Sequence, residues 1–214
     1  MQKDFFVEIE ARQINHQGEK ICGDVFLKRR IKEENRFVAV LSDGMGHGVK
    51  ANILGSLTAT MAMSFTIEHK TPERIAEIIM KTLPVCQERK TAYATFTIID
   101  ITLNDKVQII EYDNPRTMIF RKNKPLKLHW QEIDLTSCDY LEKKLHITEF
   151  YPHLGDRIVS ISDGVSQSGL GSDTYPMGWG SEKITNYIEE FLSTEPKISA
   201  ARLAEKVVNR AVFN

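Results

Sequence analysis

The sequence predicts an α+β fold in which two antiparallel β-sheets carry helices on their outer sides. Three observations predict it: a strand, glycine turn and helix within Arg36–Phe65, a succession of short strand patterns through the middle, and helix patterns closing the chain. The 214 residues contain no composition shift, linker or charge block, so 1–214 reads as a single domain. Lys plus Arg number 28 against 29 Asp plus Glu, and the net charge of -1 offers no basic field to nucleic acid or to an anionic membrane. Cys22, Cys86 and Cys138 are odd in number and widely spaced, which argues against a disulfide framework or a zinc ribbon and for a reduced compartment. The N-terminal MQKDFFVEIEARQ lacks a signal peptide's apolar core, and no run approaches the ~20 apolar residues of a spanning helix. A soluble, cytoplasmic protein that recognises its substrate locally is expected.

Phe5–Gln13 alternates apolar Phe5, Val7, Ile9 and Ala11 with polar neighbours, the period of a strand with one wet face. After a turn at Gly18, Ile21–Ile31 reads as a second strand ending in Lys28, Arg29 and Arg30, and Glu33-Glu34-Asn35 turns it into the apolar run Phe37–Leu41. This hairpin brings Asp24 towards Asp43, 19 residues later. From Val49, residues Leu54, Leu57, Thr58, Met61, Ala62 and Phe65 recur on one helix face. A second helix starts at Thr71-Pro72-Glu73, with a capping Thr and Pro at the first position, and Pro84 ends or kinks it. Ala92–Ile101, Val107–Tyr112, Thr117–Arg121, Leu126–His129 and Lys144–Phe150 follow as a meander of strands, with Tyr112-Asp113-Asn114-Pro115-Arg116 as a turn that gives Asp113 no role. Arg157–Ser162 is a further strand pattern. The irregular, Gly- and Ser-rich stretch 165–180 exposes Tyr175, Pro176, Met177 and Trp179 and reads as a functional loop or flap. Ser181 and Ser199 cap two closing helices, the latter with Leu203, Val207 and Val208 inside.

The chemistry gathers around Asp43. Ser42-Asp43-Gly44 places an acid at the end of a buried strand, and glycines 44, 46 and 48 let backbone approach a bound ion closely. Such a site suits a hard divalent cation, which prefers oxygen ligands. Asp-Gly alone is also a favoured turn dipeptide. The arrangement recurs, however, at Ser162-Asp163-Gly164, and Ile21-Cys22-Gly23-Asp24-Val25-Phe26 sets a third acid inside an apolar stretch, where an unpaired carboxylate is costly.

In this order, Gly23-Asp24, Ser42-Asp43-Gly44-Met45-Gly46-His47-Gly48 and Ser162-Asp163-Gly164-Val165 resemble the successive motifs of the PPM/PP2C protein phosphatases, and more narrowly the bacterial SpoIIE-like branch. The likeness runs through nearly the whole chain. It implies a four-layer α/β/β/α sandwich of two antiparallel sheets flanked by helices, with which the element order agrees, and a metal-dependent protein serine/threonine phosphatase. In that family two Mn2+ or Mg2+ ions held by carboxylates activate a water that attacks the phosphorus of phosphoserine or phosphothreonine. By position, the resemblance implies that Asp43 bridges both ions and is the residue on which catalysis turns, that Asp24 and the Gly44 carbonyl serve one ion, and that Asp163 serves the other. The implied substrate is a phosphorylated regulatory protein of a partner-switching pathway, of the anti-sigma-antagonist type.

The sequence departs from the pattern in two places. The catalytic histidine of eukaryotic-type members directly follows Asp-Gly, where Met45 stands here, so His47 is out of register; His16, His69, His129, His146 and His153 show no ligand spacing either. SpoIIE-like domains continue past the last helix into a strand whose acid completes the second ion's shell, whereas this sequence ends at Ala211-Val212-Phe213-Asn214. A domain lacking its C-terminal strand is the expectation, and no spacing recommends Asp173 as a substitute acid. The missing carboxylate also motivates an alternative, a phosphatase-like module that binds a phosphoprotein without hydrolysing it. A nucleotide-binding reading fails, because Gly44–Gly48 completes neither a P-loop nor a Rossmann fingerprint.

Overall fold

Residues 6–15, 18–44, 46, 48–83, 94–135 and 144–214 are described by the computed structural model, and they divide into two compact units. The first comprises Asn15–Asn114 and Leu128–Pro152; the second comprises Met1–Ile14, Pro115–Lys127 and His153–Asn214.

The first unit grows from the predicted hairpin. Strands β1 (Asp24–Ile31) and β2 (Arg36–Gly44) join through a short 3-10 turn and Asn35, which takes the left-handed φ of 48° that reverses the chain. Helices α1 (Gly48–Ile67) and α2 (Pro72–Thr82) follow, the latter capped by Thr71, whose side chain accepts from the Arg74 N–H at 3.4 Å. Strands β3 (Ala94–Thr102) and β4 (Val107–Tyr112) continue the sheet. After β5 (Met118–Arg121) and β6 (Lys124–Pro125), β7 (Gln131–Asp134) and β8 (Lys144–Phe150) return to it. The result is an antiparallel sheet in the order β1-β2-β3-β4-β8-β7. One face, with Val38, Val40, Phe96, Ile98 and Ile110, packs with Ala59, Ala62, Ile75 and Ile79 of α1 and α2 into an apolar core. Because side chains alternate along a strand, Asp24 and Asp43 fall on the opposite face.

Glycine decides how close α1 comes to this sheet. A Cβ on Gly44 would stand 1.9 Å from the Ala51 carbonyl oxygen, and one on Gly55 would stand 2.9 Å from that of Gly23. Both positions therefore exclude a side chain, and the buried side of α1 is built from Ala51, Gly55, Ala59 and Ala62 besides Leu54, Thr58, Met63 and Thr66. Leu57, expected on the inner face, is exposed together with Val49 and Ile53, while Met61 and Phe65 are only partly buried. Leu54, Thr58 and Ala62 of the expected face are buried, whereas Leu57, Met61 and Phe65 marked its wrong edge, because a backbone-to-backbone contact selects small residues.

At the far end of the hairpin Arg36, only 5 % exposed, donates to both carboxylate oxygens of Asp100, at 2.7 and 2.6 Å, and to the Thr66 carbonyl at 2.7 Å. The guanidinium is thereby tied to β3 and to the end of α1, and its pKa is held above the ordinary arginine value by Asp100.

In the second unit β5 is flanked by β6 and by β9 (Arg157–Val159), and the chain ends in α3 (Asp163–Ser166), α4 (Ser181–Thr194) and α5 (Ala200–Phe213). Its core joins Phe120 and Ile161 to Ile184, Ile188 and Leu192 of α4 and to Leu203 and Val207 of α5. Asp156 binds the Arg121 guanidinium through both oxygens at 3.0 and 2.8 Å.

Several expectations are corrected. Residues 6–13 form no strand, although Val7 and Ile9 are half-buried between exposed neighbours, so the alternation survives without a ladder. The strands are no simple meander: Asp113, at φ 55°, and Pro115, which has no N–H to donate, end the ladder after β4, and β5 and β6 join β9 instead. Leu126–His129 is not a strand; β6 and β7 lie on either side of it. The strand at Arg157 stops at Val159. The stretch 165–180 is no exposed flap, since Trp179 (3 % exposed) and Tyr175 (9 %) enter the core and only Pro176 and Met177 of the four named residues stay out. Aromatic side chains separated by turns bury without any periodicity that a sequence could display. Gly180, at φ 76°, rather than Ser181 is the N-cap of α4, whereas Ser199 caps α5 as expected, accepting from the Arg202 N–H at 3.2 Å. The positions of Phe5, Pro84, Ala92, Tyr93, Cys86 and Cys138 lie outside the described residues. Among the described residues no helix is long and apolar enough to cross a membrane.

Two stability measurements check this account. Gly55→Val is expected to lose about 2–3 kcal/mol in urea unfolding through overpacking against Gly23. Arg36→Met is expected to lose about 3 kcal/mol or more by stranding Asp100, and the double variant Arg36→Met/Asp100→Leu to recover much of that loss.

Candidate functional site

The register of the hairpin places Asp24 directly opposite Asp43. Residues so paired in an antiparallel ladder have Cβ atoms about 4.5–5.5 Å apart, close enough for both carboxylates to reach one ion. Both are half-buried. Next to them the chain turns sharply at Gly44–Gly48, with Gly46 at φ 98° and Gly48 at φ 73°. This turn brings two backbone carbonyls together: a Cβ on Gly23 would lie 3.5 Å from the oxygens of both Gly44 and Gly46. Two carboxylates thus stand opposite each other across the ladder, and two backbone carbonyls converge on Gly23 beside Asp24, all of them oxygen donors. That donor set fits a hard divalent cation such as Mg2+ or Mn2+. Among the described residues, no group of three or more His, Cys, Asp or Glu side chains is gathered in the manner of a metal site.

Cys22 reports on the same charges. Burial pushes its thiol pKa up, a backbone hydrogen bond at Asp24 pulls it down, and the Asp24 and Asp43 carboxylates push it up, leaving it raised. The Cys22 carbonyl accepts from Asn52 Nδ2 at 2.8 Å, which ties the entrance of β1 to α1.

Asp163 belongs to the second unit. It is not at a strand end as expected but four residues beyond one: Val159 closes β9, Ser162 is the N-cap, and Asp163 is the first residue of the four-residue α3. Its side chain is exposed and accepts from Gln167 Nε2 at 3.2 Å. An acid at a helix start is favoured by the unpaired N–H groups there, which accounts for Ser-Asp-Gly leading into a helix rather than stopping a strand. Met45 and His47 lie outside the described residues, and Asp173 is exposed. Asp113 occupies a turn position with a positive φ of 55°.

Sequence reasoning passed over three participants. Gly23 and Gly55 make the close approach of α1 possible, and a glycine within a helix pattern is itself a signal of such an approach. The third is Asn114, 8 % exposed, which accepts a short hydrogen bond from Thr95 Oγ1 and donates to Thr97 Oγ1 at 3.1 Å.

With the geometry in hand, comparison with known proteins defines the class: the fold is that of PP2C-type phosphatase domains. The PP2C phosphatase domain of SpoIIE from Bacillus subtilis, solved with a fragment of its regulatory domain, superposes with a TM-score of 0.67 at 14% identity. The match covers 89% of this chain and 53% of that one, so the chain spans about half the length of that relative. The RsbU and RsbW domains of Rv1364c from Mycobacterium tuberculosis match with a TM-score of 0.67 at 16% identity, covering 92% of this chain and 54% of that one. RsbX, solved in complex with magnesium, matches with a TM-score of 0.54 at 19% identity, covering 86% of each chain. The model of the stage II sporulation protein E (SpoIIE) family matches residues 33–211, and the chain belongs to that family. The search of curated proteins finds no match.

Two like charges facing each other across a ladder disfavour the metal-free fold. In chelator, Asp43→Asn is therefore expected to raise stability by about 0.5–1 kcal/mol, and addition of Mn2+ to stabilise the wild type but not the variant. Thermal melts with and without the ion measure both.

Proposed function

We propose that this chain is a metal-dependent protein serine/threonine phosphatase acting on a phosphorylated regulatory protein of a partner-switching pathway. The observation that carries the reading is the pairing of Asp24 with Asp43 beside the Gly44 and Gly46 carbonyls. Family membership and the PP2C fold support hydrolysis of protein phosphoesters. The magnesium complex of RsbX supports the choice of ion, and the RsbU and RsbW domains of Rv1364c support the regulatory setting.

In this reading Asp24, Asp43 and the Gly44 carbonyl would hold Mn2+ or Mg2+, with Asp43 as the residue on which catalysis depends. A bound ion would supply a water acidic enough to act as a nucleophile near neutral pH and positive charge to offset that on the phosphoryl oxygens. The chain's own contribution is to hold two carboxylates side by side on a ladder before the ion arrives, while Gly23 and Gly44 let α1 pack close against that ladder. The assignment of Asp163 to the second ion rests on the repeated Ser-Asp-Gly motif.

A second reading, a module that binds a phosphoprotein without turnover, draws on one observation: no three acidic or imidazole side chains gather among the described residues. Hydrolysis of an aryl phosphate and of a phosphoserine peptide with Mn2+ and with chelator separates the two. The phosphatase reading expects Mn2+-dependent turnover, reduced at least about hundredfold in Asp43→Ala with helical content intact, and reduced also in Asp163→Asn. Mn2+-independent silence together with retained phosphopeptide binding would favour the module.

A further inference from the structure

We propose that Asn114, acting through Thr95, is a positioning residue for the Asp43 carboxylate, so that the turn after β4 sets the metal affinity of the site at the end of β2. The proposal rests on the phosphatase reading above.

Thr95 is the residue of β3 directly opposite Asp43, on the other side from Asp24. It is gripped from both faces of the sheet. On the helix-covered face, Ser42, which is fully buried, donates its hydroxyl to the Thr95 carbonyl at 2.9 Å. On the face that carries Asp43, the Thr95 hydroxyl donates to Asn114 Oδ1, and Asn114 Nδ2 donates to the buried Thr97 hydroxyl at 3.1 Å. Asn114 thus uses both ends of its amide to span two alternate residues of β3, the spacing at which side chains share a face.

Three features make this more than a stabilised turn. The bonds to Thr95 fall at the point of β3 that borders Asp43, while the apolar core of this unit lies on the opposite face. The preceding residue, Asp113, is held at φ 55°, a conformation that a non-glycine residue adopts at a cost and that aims Asn114 back onto the sheet. Residues that orient ligand carboxylates through hydrogen bonds typically alter metal affinity by about 10–100-fold when removed, without touching the ion. A carboxylate on a ladder that can shear or splay has to be ordered again when the ion binds; one backed by a clamped neighbour does not.

The test measures Mn2+ affinity of the full chain by titration calorimetry, a readout independent of turnover. Asn114→Ala and Thr95→Val are each expected to weaken Mn2+ about tenfold or more. Thr95→Val is isosteric and suits a strand, so it decides the matter if Asn114→Ala folds poorly. Thr148→Val is the control: its buried hydroxyl donates to the His129 carbonyl at 2.8 Å on β8, and its loss is expected to leave Mn2+ affinity unchanged. Wild-type affinity in both Asn114→Ala and Thr95→Val would overturn the proposal, as would equal weakening in Thr148→Val. Absence of Mn2+ binding by the wild type would instead overturn the metal reading itself, and the positioning role with it.

Discussion

The first unit depends on a contact between backbones. Where α1 meets the β1–β2 hairpin, Gly44 approaches the Ala51 carbonyl and Gly55 approaches that of Gly23, both at distances that leave no room for a Cβ. Side-chain packing elsewhere can relax around a changed volume, but a backbone-to-backbone approach has no rotamer to give. The consequences spread outward from this point. Small residues line much of the buried side of α1, Val49, Ile53 and Leu57 turn to solvent, and the chain reverses between the end of β2 at Gly44 and the start of α1 at Gly48. That reversal is what brings the Gly44 and Gly46 carbonyls to the edge of β1, beside Asp24.

The two ends of the hairpin treat charge in opposite ways. At the closed end Arg36 is buried and answered by Asp100 and by a helix carbonyl, an arrangement in which every charge has a partner. At the open end, Asp24 and Asp43 carry like charges across the ladder. Two carboxylates that face each other at the open end are oxygen donors of the kind a hard divalent cation prefers. This is the usual conflict between stability and function, located on a single pair of strands.

The second unit is organised by aromatic burial. Tyr175 and Trp179, on a stretch dense in turns, enter the core with α4, and Trp179 meets Tyr187 edge-on at 5.3 Å. Gly178, at φ 81°, has no room for a Cβ against Gln167, so the stretch is folded tightly on itself. Irregular backbone of this kind keeps its shape because its hydrogen bonds are local, as in the bonds from Trp179 N to Ser168 O and from Gly180 N to Ser166 O.

Periodicity and turn chemistry in the sequence determined the hairpin, its register partner acids, both capped helices after Thr71 and Ser199, and strands such as Val107–Tyr112 and Lys144–Phe150. These depend on neighbours within a few residues or on one two-residue alternation, and the sequence displays both directly. Motif order also carried the family, because Gly-Asp, Ser-Asp-Gly-Met-Gly-His-Gly and Ser-Asp-Gly are read without knowing what surrounds them. Only the tertiary structure decided which strands leave the first sheet, which side of α1 is buried, that Trp179 is core, and that Asn114 reaches back to Thr95 and Thr97 beside Asp43. Each of these is a contact between residues far apart in the chain, won by packing or by a hydrogen bond that no local propensity encodes.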